Sequence, residues 1–219
     1  MNLRWEIKKR DTLYYIGDEC LLSKSIVAVI GKRDRSLHYA QKAYEIGAQL
    51  AEDGYVVLNG LAIGCDTDAI KGALSKKGKV IAVLPCGLDQ VYPASNRALA
   101  EQILENGGCI VSEYPIGTKP EKYRFVQRDK VQAKLANHIV VIETEKDGGT
   151  MHTVEYALQE QKPIACVVEE GDEHSPTGNA YLIKESIAVP ITSIESLRDF
   201  LQQPKIKYEQ ISLFDICEE

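Results

Sequence analysis

The chain has 219 residues, 44% of them hydrophobic and 26% charged, a balance that excludes global disorder and supports one large domain, or one domain with a small appendage. A formal charge of -6 excludes indiscriminate coating of the surface by a polyanion, which would meet net repulsion. The negative excess is local: residues 160–219 hold 5 basic and 12 acidic side chains, which leaves room for a phosphate-binding patch earlier in the chain.

The opening MNLRWEIKKRD lacks the apolar core of a signal peptide, and no stretch approaches the roughly 20 continuous apolar residues needed to cross a bilayer. The expectation is a cytoplasmic protein without membrane association. Residues 1–24 read as an N-terminal extension packing on a core that spans 25–202. SIVAVIG (25–31) forms a first strand, and the KRDRS loop leads to a helix from Leu37 to Glu52. Ala40, Ala43, Tyr44, Gly47, Ala48 and Leu50 give that helix a compact face to bury. Asp53-Gly54 ends it, YVVLN forms the next strand, and the glycine-containing loop GLAIGCDTD enters a short helix through Leu74. KVIAVL (79–84) is a third strand, and PCGLDQVYPAS leads to a helix over 96–104.

Gly107-Gly108 interrupts the pattern before CIVS (109–112). Residues 113–125 are too rich in Gly, Pro and charge for an interior strand, whereas VQRDKVQAKLA (126–136) suits a helix. HIVVIE (138–143), the loop TEKDGG, a helix over 150–159 and PIACVV (163–168) follow. Beyond them come a surface loop (169–179), a short helix over 180–186, an edge strand IAVPI and a last helix, SIESLRDFL. Ser193 is placed to cap that helix, but Ser196 stands where a capping box has Glu or Gln. The tail, 203–219, has no core pattern, although Phe214 and Ile216 are candidates for docking. This alternation of strand and helix implies a largely parallel sheet covered by helices.

In such a sheet the strands end on one side, where the following helices present N-termini that favour anions. Gly31 and Arg33 follow the first strand directly, so the loop reads either as an anion site or as a solvated KR pair. Gly60, Gly64 and Asp66 lie at the second crossing, where Asp66 or Thr67 either caps the helix or orients a sugar or base. Tyr92 either packs or stacks on a base, and Ser95 or Asn96 is placed to cap the next helix. The densest basic segment, Lys119 to Lys134, includes Arg128 and Lys130 with Tyr123 and Phe125 interleaved. It reads as a solvated face or as phosphate ligands beside stacking rings. Gly148, Gly149 and Thr150 open another helix with exposed amides.

The spacing of Walker and GxGxxG motifs is missing, which disfavours ATP and NAD, and no cofactor is expected. Six cysteines form no CxxC pair and four scattered histidines no metal set, so buried thiols and no metal are expected. Glu113, Glu143, Glu155 and Asp66 are the candidate general bases, with no nucleophile to accompany them.

Seven ordered phrases resemble the bacterial DNA-processing family DprA or Smf: VAVIGKR, LNGLAIGCDTDAIKGAL, IAVLPCGLDQVYPASN, SEYPIGTKP, FVQRDKVQAKLA, DGGTMHTVEYAL and SPTGNAYLI. The resemblance covers about Leu13 to Leu201. It implies an extended Rossmann-like, three-layer α/β fold and a protein, not generally an enzyme, that binds single-stranded DNA in DNA uptake or recombination. It also implies a RecA-type recombinase as partner, and pairing with a second copy is a further expectation. By similarity Gly31, Arg33, Gly60, Gly64, Asp66, Arg128, Lys130, Gly148, Gly149 and Thr150 are the phosphate- or DNA-binding positions, and Tyr92, Tyr123 and Phe125 are candidates for base stacking. Asp129 stands where the family has Asn, and the short tail leaves no room for the winged-helix domain of some members. Two alternatives stay open: a nucleotide-binding sensor or phosphoribohydrolase, in which Glu155 would be catalytic, and a protein-interaction scaffold.

Overall fold

The structure is a computed structural model describing residues 6–168 and 176–202; the expectations for the tail, including Phe214 and Ile216, lie outside the described residues. Strands β1 (Lys8–Arg10) and β2 (Leu13–Gly17) form an antiparallel hairpin. The remaining strands are β3 (Ile26–Ile30), β4 (Val56–Asn59), β5 (Val80–Val83), β6 (Cys109–Ser112), β7 (His138–Val141), β8 (Ile164–Val167) and β9 (Val189–Ile191). All nine join one sheet in the order β1-β2-β6-β5-β4-β3-β7-β8-β9, with β2 antiparallel to β6 and the block from β6 to β9 parallel. The N-terminal residues thus extend the sheet itself.

The central strands are apolar on both faces because both are covered. Val27 and Val29 point to one side, where helices α1 (Leu37–Glu52), α2 (Cys65–Ser75) and α3 (Arg97–Glu105) bury Ile46, Ile70 and Ile103. Ile26, Ala28 and Ile30 point to the other, against α4 (Lys122–Leu135), α5 (Thr150–Gln159) and α6 (Thr177–Lys184), through Val131, Val154 and Leu182. The last helix, α7 (Ile194–Gln202), returns to the first face and inserts Phe200. Helices, sheet and helices make three layers, the extended Rossmann-like architecture. Among the described residues no helix is long and apolar enough to cross a membrane.

Local details depart from the sequence reading. The compact face of α1 receives α2 as well as the sheet, so Tyr44 at its margin stays exposed rather than buried. Helix α4 starts four residues before Val126, and α6 starts at Thr177 rather than at Ala180. Ser196 completes the cap after all: Ser196 N–H donates to Ser193 Oγ at 3.2 Å and Ser193 N–H to Ser196 Oγ at 3.0 Å, so a serine hydroxyl performs the reciprocal role of Glu or Gln. Cys65, Cys86, Cys109 and Cys166 are buried free thiols, whereas Cys20 is exposed; burial pushes the Cys86 thiol up to about 11 and Cys109 to about 12.

From β3 the chain moves outward through β4, β5 and β6, then crosses back to β7 beside β3 and continues to β8 and β9. The strand order therefore reverses between β3 and β7, where loops leaving the two carboxyl ends turn opposite ways and open a crevice.

Candidate functional site

A cleft of about 430 Å³ occupies that reversal point. Its walls come from the loop after β3 (Gly31, Lys32, Arg33, Asp34), the start of α5 (Gly148, Gly149, Thr150, His152, Thr153) and the inner face of α4 (Phe125, Val126, Arg128, Asp129, Gln132), with Ala62 and Asp66 from the second crossing. Residues more than 100 positions apart thus meet, because parallel strands deliver successive loops to one edge.

Two loops are locked together beneath the cleft. Cys65 N–H donates to Lys32 O at 3.1 Å. Gly64 has φ +84°, and a Cβ there would lie 2.3 Å from Arg33 O, so only glycine allows this approach. Asp66 accepts N–H bonds from Gly60 at 2.9 Å and Ala62 at 3.2 Å, so its carboxylate folds its own loop instead of capping α2, whose N-cap residue is Gly64. Thr67 Oγ1 donates to Ala62 O at 2.7 Å and does not cap either. Asn96 also turns away from the cap expected of it: its Nδ2 donates to Leu61 O at 2.9 Å, Ala62 O at 3.2 Å and Thr67 Oγ1 at 2.9 Å.

The three cations of the first loop have separate fates. Lys32 Nζ lies 2.7 Å from Glu145 and 3.8 Å from Glu143, and the bond to Glu145 raises its pKa while lowering that of Glu145. Arg35 Nε lies 2.6 Å from Asp68, a hydrogen bond that raises its pKa. Arg33, exposed, has no carboxylate at ion-pair distance among the described residues; its guanidinium lies 5.5 Å from the centroid of Phe125. Phe125 in turn meets the Tyr92 ring edge to face at 5.3 Å. Arg33, Phe125 and Tyr92 form a continuous ledge along the rim, with Tyr92 41% exposed.

Arg128 is turned inward. Only 7% exposed, it lies with Nη1 3.4 Å from Val83 O and Nε 2.9 Å from Asp129 Oδ1. A Cβ on Gly60 would fall 1.2 Å from Nη1, so Gly60 provides the slot for the guanidinium. Burial raises the pKa of Asp66 and of Asp129, and the Arg128 charge opposes the shift in both. The floor therefore neutralises its own cation, while the rim keeps Arg33 available.

Lys130 is exposed and does not line the cleft, because it follows Arg128 by two residues and points to another side of α4. Tyr123 lies outside as well, 5.2 Å from Arg124, which also faces Tyr114 at 5.2 Å. Glu155 lies on the outer side of α5, 3.8 Å from His152 Nδ1, and not in the cleft. Glu143 is engaged in structure: its Oε2 accepts from Ser36 N–H at 3.1 Å. Among the described residues no group of His, Cys, Asp or Glu is placed to hold a metal ion. Sequence reasoning missed Gln132 and also Asn59, whose Nδ2 donates to Asp66 O at 3.0 Å and whose Oδ1 accepts from Leu61 N–H at 3.1 Å, and it gave Asn96 a capping role in place of its bonds to the second loop. The Asp129–Gln132 spacing of three on a helix was the signal for Gln132.

The layers, the strand-order reversal and the cleft above it define an extended Rossmann-like α/β protein with its site at the topological switch point. Within that class the chain belongs to the family described as DNA recombination-mediator protein A, whose model matches residues 2–202. Protein Smf of Synechocystis is 34% identical over 200 residues, covering 89% of this chain but about half (50%) of that relative's length. DNA processing protein A of Helicobacter pylori superposes with a TM-score of 0.82 at 27% identity, covering 91% of this chain and 96% of that one. The Streptococcus pneumoniae DNA processing protein A gives 0.79 at 29% identity, covering 90% of this chain and 74% of that one.

Proposed function

We propose that the chain binds single-stranded DNA along the rim of the cleft and acts as a DNA-processing protein in DNA uptake or recombination, presenting the strand to a RecA-type recombinase. The carrying observation is the ledge of Arg33, Phe125 and Tyr92 beside the N-terminus of α5. An uncompensated guanidinium and helix amides suit phosphates, and the exposed Tyr92 ring beside the half-buried Phe125 suits unpaired bases. The structurally similar H. pylori protein binds single-stranded DNA, which supports the same ligand here. Arg33 is the principal phosphate contact in this reading. Thr150 and the amides of Gly148 and Gly149 flank it, and Arg128 holds the floor in shape.

Fluorescence anisotropy with a labelled single-stranded oligonucleotide tests the proposal. Arg33→Ala should weaken binding about tenfold at low salt and flatten the salt dependence by about one phosphate's worth. Unchanged affinity and slope in a folded variant would place the DNA elsewhere.

A further inference from the structure

Lys32 and Arg33 are neighbours on the first loop and both line the cleft, yet carboxylates take up Lys32 while Arg33 faces outward. The Lys32 backbone is fixed on both sides: its N–H donates to Glu143 O at 2.8 Å, and its O accepts from Cys65 N–H at 3.1 Å. Only the side chain is left to move. That side chain is 28% exposed, and its ammonium lies 2.7 Å from Glu145 Oε1 and 3.8 Å from Glu143 Oε1. Neither carboxylate depends on it alone. Glu145 Oε2 accepts from Thr177 Oγ1 at 2.5 Å in the first turn of α6, and Lys32 and then Thr177 hold its carboxyl below the usual range. Glu143 Oε2 accepts from Ser36 N–H at 3.1 Å. Withdrawal of the ammonium therefore leaves each carboxylate with a donor.

The other paired cations differ. Arg128, buried between Asp66 and Asp129, would strand buried charge by leaving, and Arg35, paired with Asp68, does not line the cleft. An ion pair as open to water as that of Lys32 and Glu145 is weakly held, and a phosphodiester lying on Arg33 brings a second anion beside the same ammonium. We infer that Glu145 is a built-in competitor of the DNA strand: it holds Lys32 in reserve, and the ammonium exchanges the Glu145 carboxylate for a phosphate while Glu145 stays on Thr177. This inference rests on the single-stranded DNA reading of the cleft. The exchange uncovers one carboxylate for each phosphate it captures and so adds little net salt dependence, whereas an ammonium freed in advance adds a full phosphate's worth.

Glu145→Gln keeps an acceptor for Thr177 and removes the competing charge. In fluorescence anisotropy with labelled oligo(dT) at low salt it should bind about fivefold more tightly than the wild type, with a log–log salt slope steeper by about 0.7. Loss of a negative charge anywhere near the cleft favours DNA, so the deciding comparison is made without the lysine. In a Lys32→Met background, which retains the stem, the gain from Glu145→Gln should shrink to less than about half and the change in slope should vanish. Glu155→Gln, on the outer side of α5, reports the general field and should stay within about twofold of the wild type. Thermal melting checks that the variants fold, with Glu145→Ala and Lys32→Ala as replacements for any that do not. No gain in Glu145→Gln, or the same gain with and without Lys32, overturns the inference and leaves DNA binding standing. Failure of the wild type to bind oligo(dT) overturns the DNA reading and this inference with it.

Discussion

Gly64→Ala separates the role of loop packing from that of composition. The added Cβ would meet Arg33 O at 2.3 Å, Lys32 O at 2.4 Å and Arg33 Cα at 2.6 Å, whereas relaxed contacts lie near 3.5 Å, so the first loop must retreat by about 1 Å. Holding alanine at φ +84° and ψ -135° costs about 1–3 kcal/mol. The retreat also breaks the bond from Cys65 N–H to Lys32 O, worth about 0.5–1.5 kcal/mol. Together these give a loss of about 1.5–4.5 kcal/mol by urea unfolding followed by circular dichroism. Because Arg33 rides on the displaced loop, DNA affinity in the remaining folded protein should fall too. Gly149→Ala is the control: its φ is -58° and a Cβ there meets nothing within 4 Å, so stability should hold or rise by up to about 1 kcal/mol. An unfolding midpoint for Gly64→Ala equal to that of the wild type, with the same slope, would refute the account of the two loops.

Asn96→Ala orphans the Leu61 carbonyl, while Ala62 O keeps its bond from Thr67 Oγ1, and should cost about 1–3 kcal/mol in the same unfolding assay, although Asn96 lies 35 residues from Leu61 in sequence. Asp129→Asn should gain stability over the wild type as pH rises. The buried carboxyl has a folded pKa above its ordinary 3.8, so the wild type loses stability as pH climbs from that value through the raised one. Above that window the difference should level off, and parallel pH profiles for the two proteins would count against the assignment. Phe200→Ala, at a fully buried ring on α7, should cost about 3–5 kcal/mol in urea unfolding.

The strands were legible because their runs, such as IVAVI and IACV, are apolar at every position, the pattern of a sheet covered on both faces. The crossing loops were legible through Gly31, Gly64 and Gly148-Gly149, which mark sharp departures from strand to helix. Less visible was the hairpin of β1 and β2, whose KKR and LYYIG lack that uniform burial. Helix α4 was shortened in the sequence reading because Lys122 to Phe125 offer charge and aromatic bulk where a helical stripe would be sought.

For the site, sequence determined which loops share an edge, since parallel connectivity alone sends them there. It also placed both Arg33 and Arg128 among the cations near that edge. Tertiary structure decided what each cation does. Arg128 enters a slot over Gly60 between Asp66 and Asp129, Lys32 is taken up by Glu143 and Glu145, and Arg33 is left over Phe125 facing outward. The reason is that a charge's availability depends on counter-charges and burial supplied by residues distant in the chain. Spacing along the sequence encodes the edge, but only packing encodes the partner.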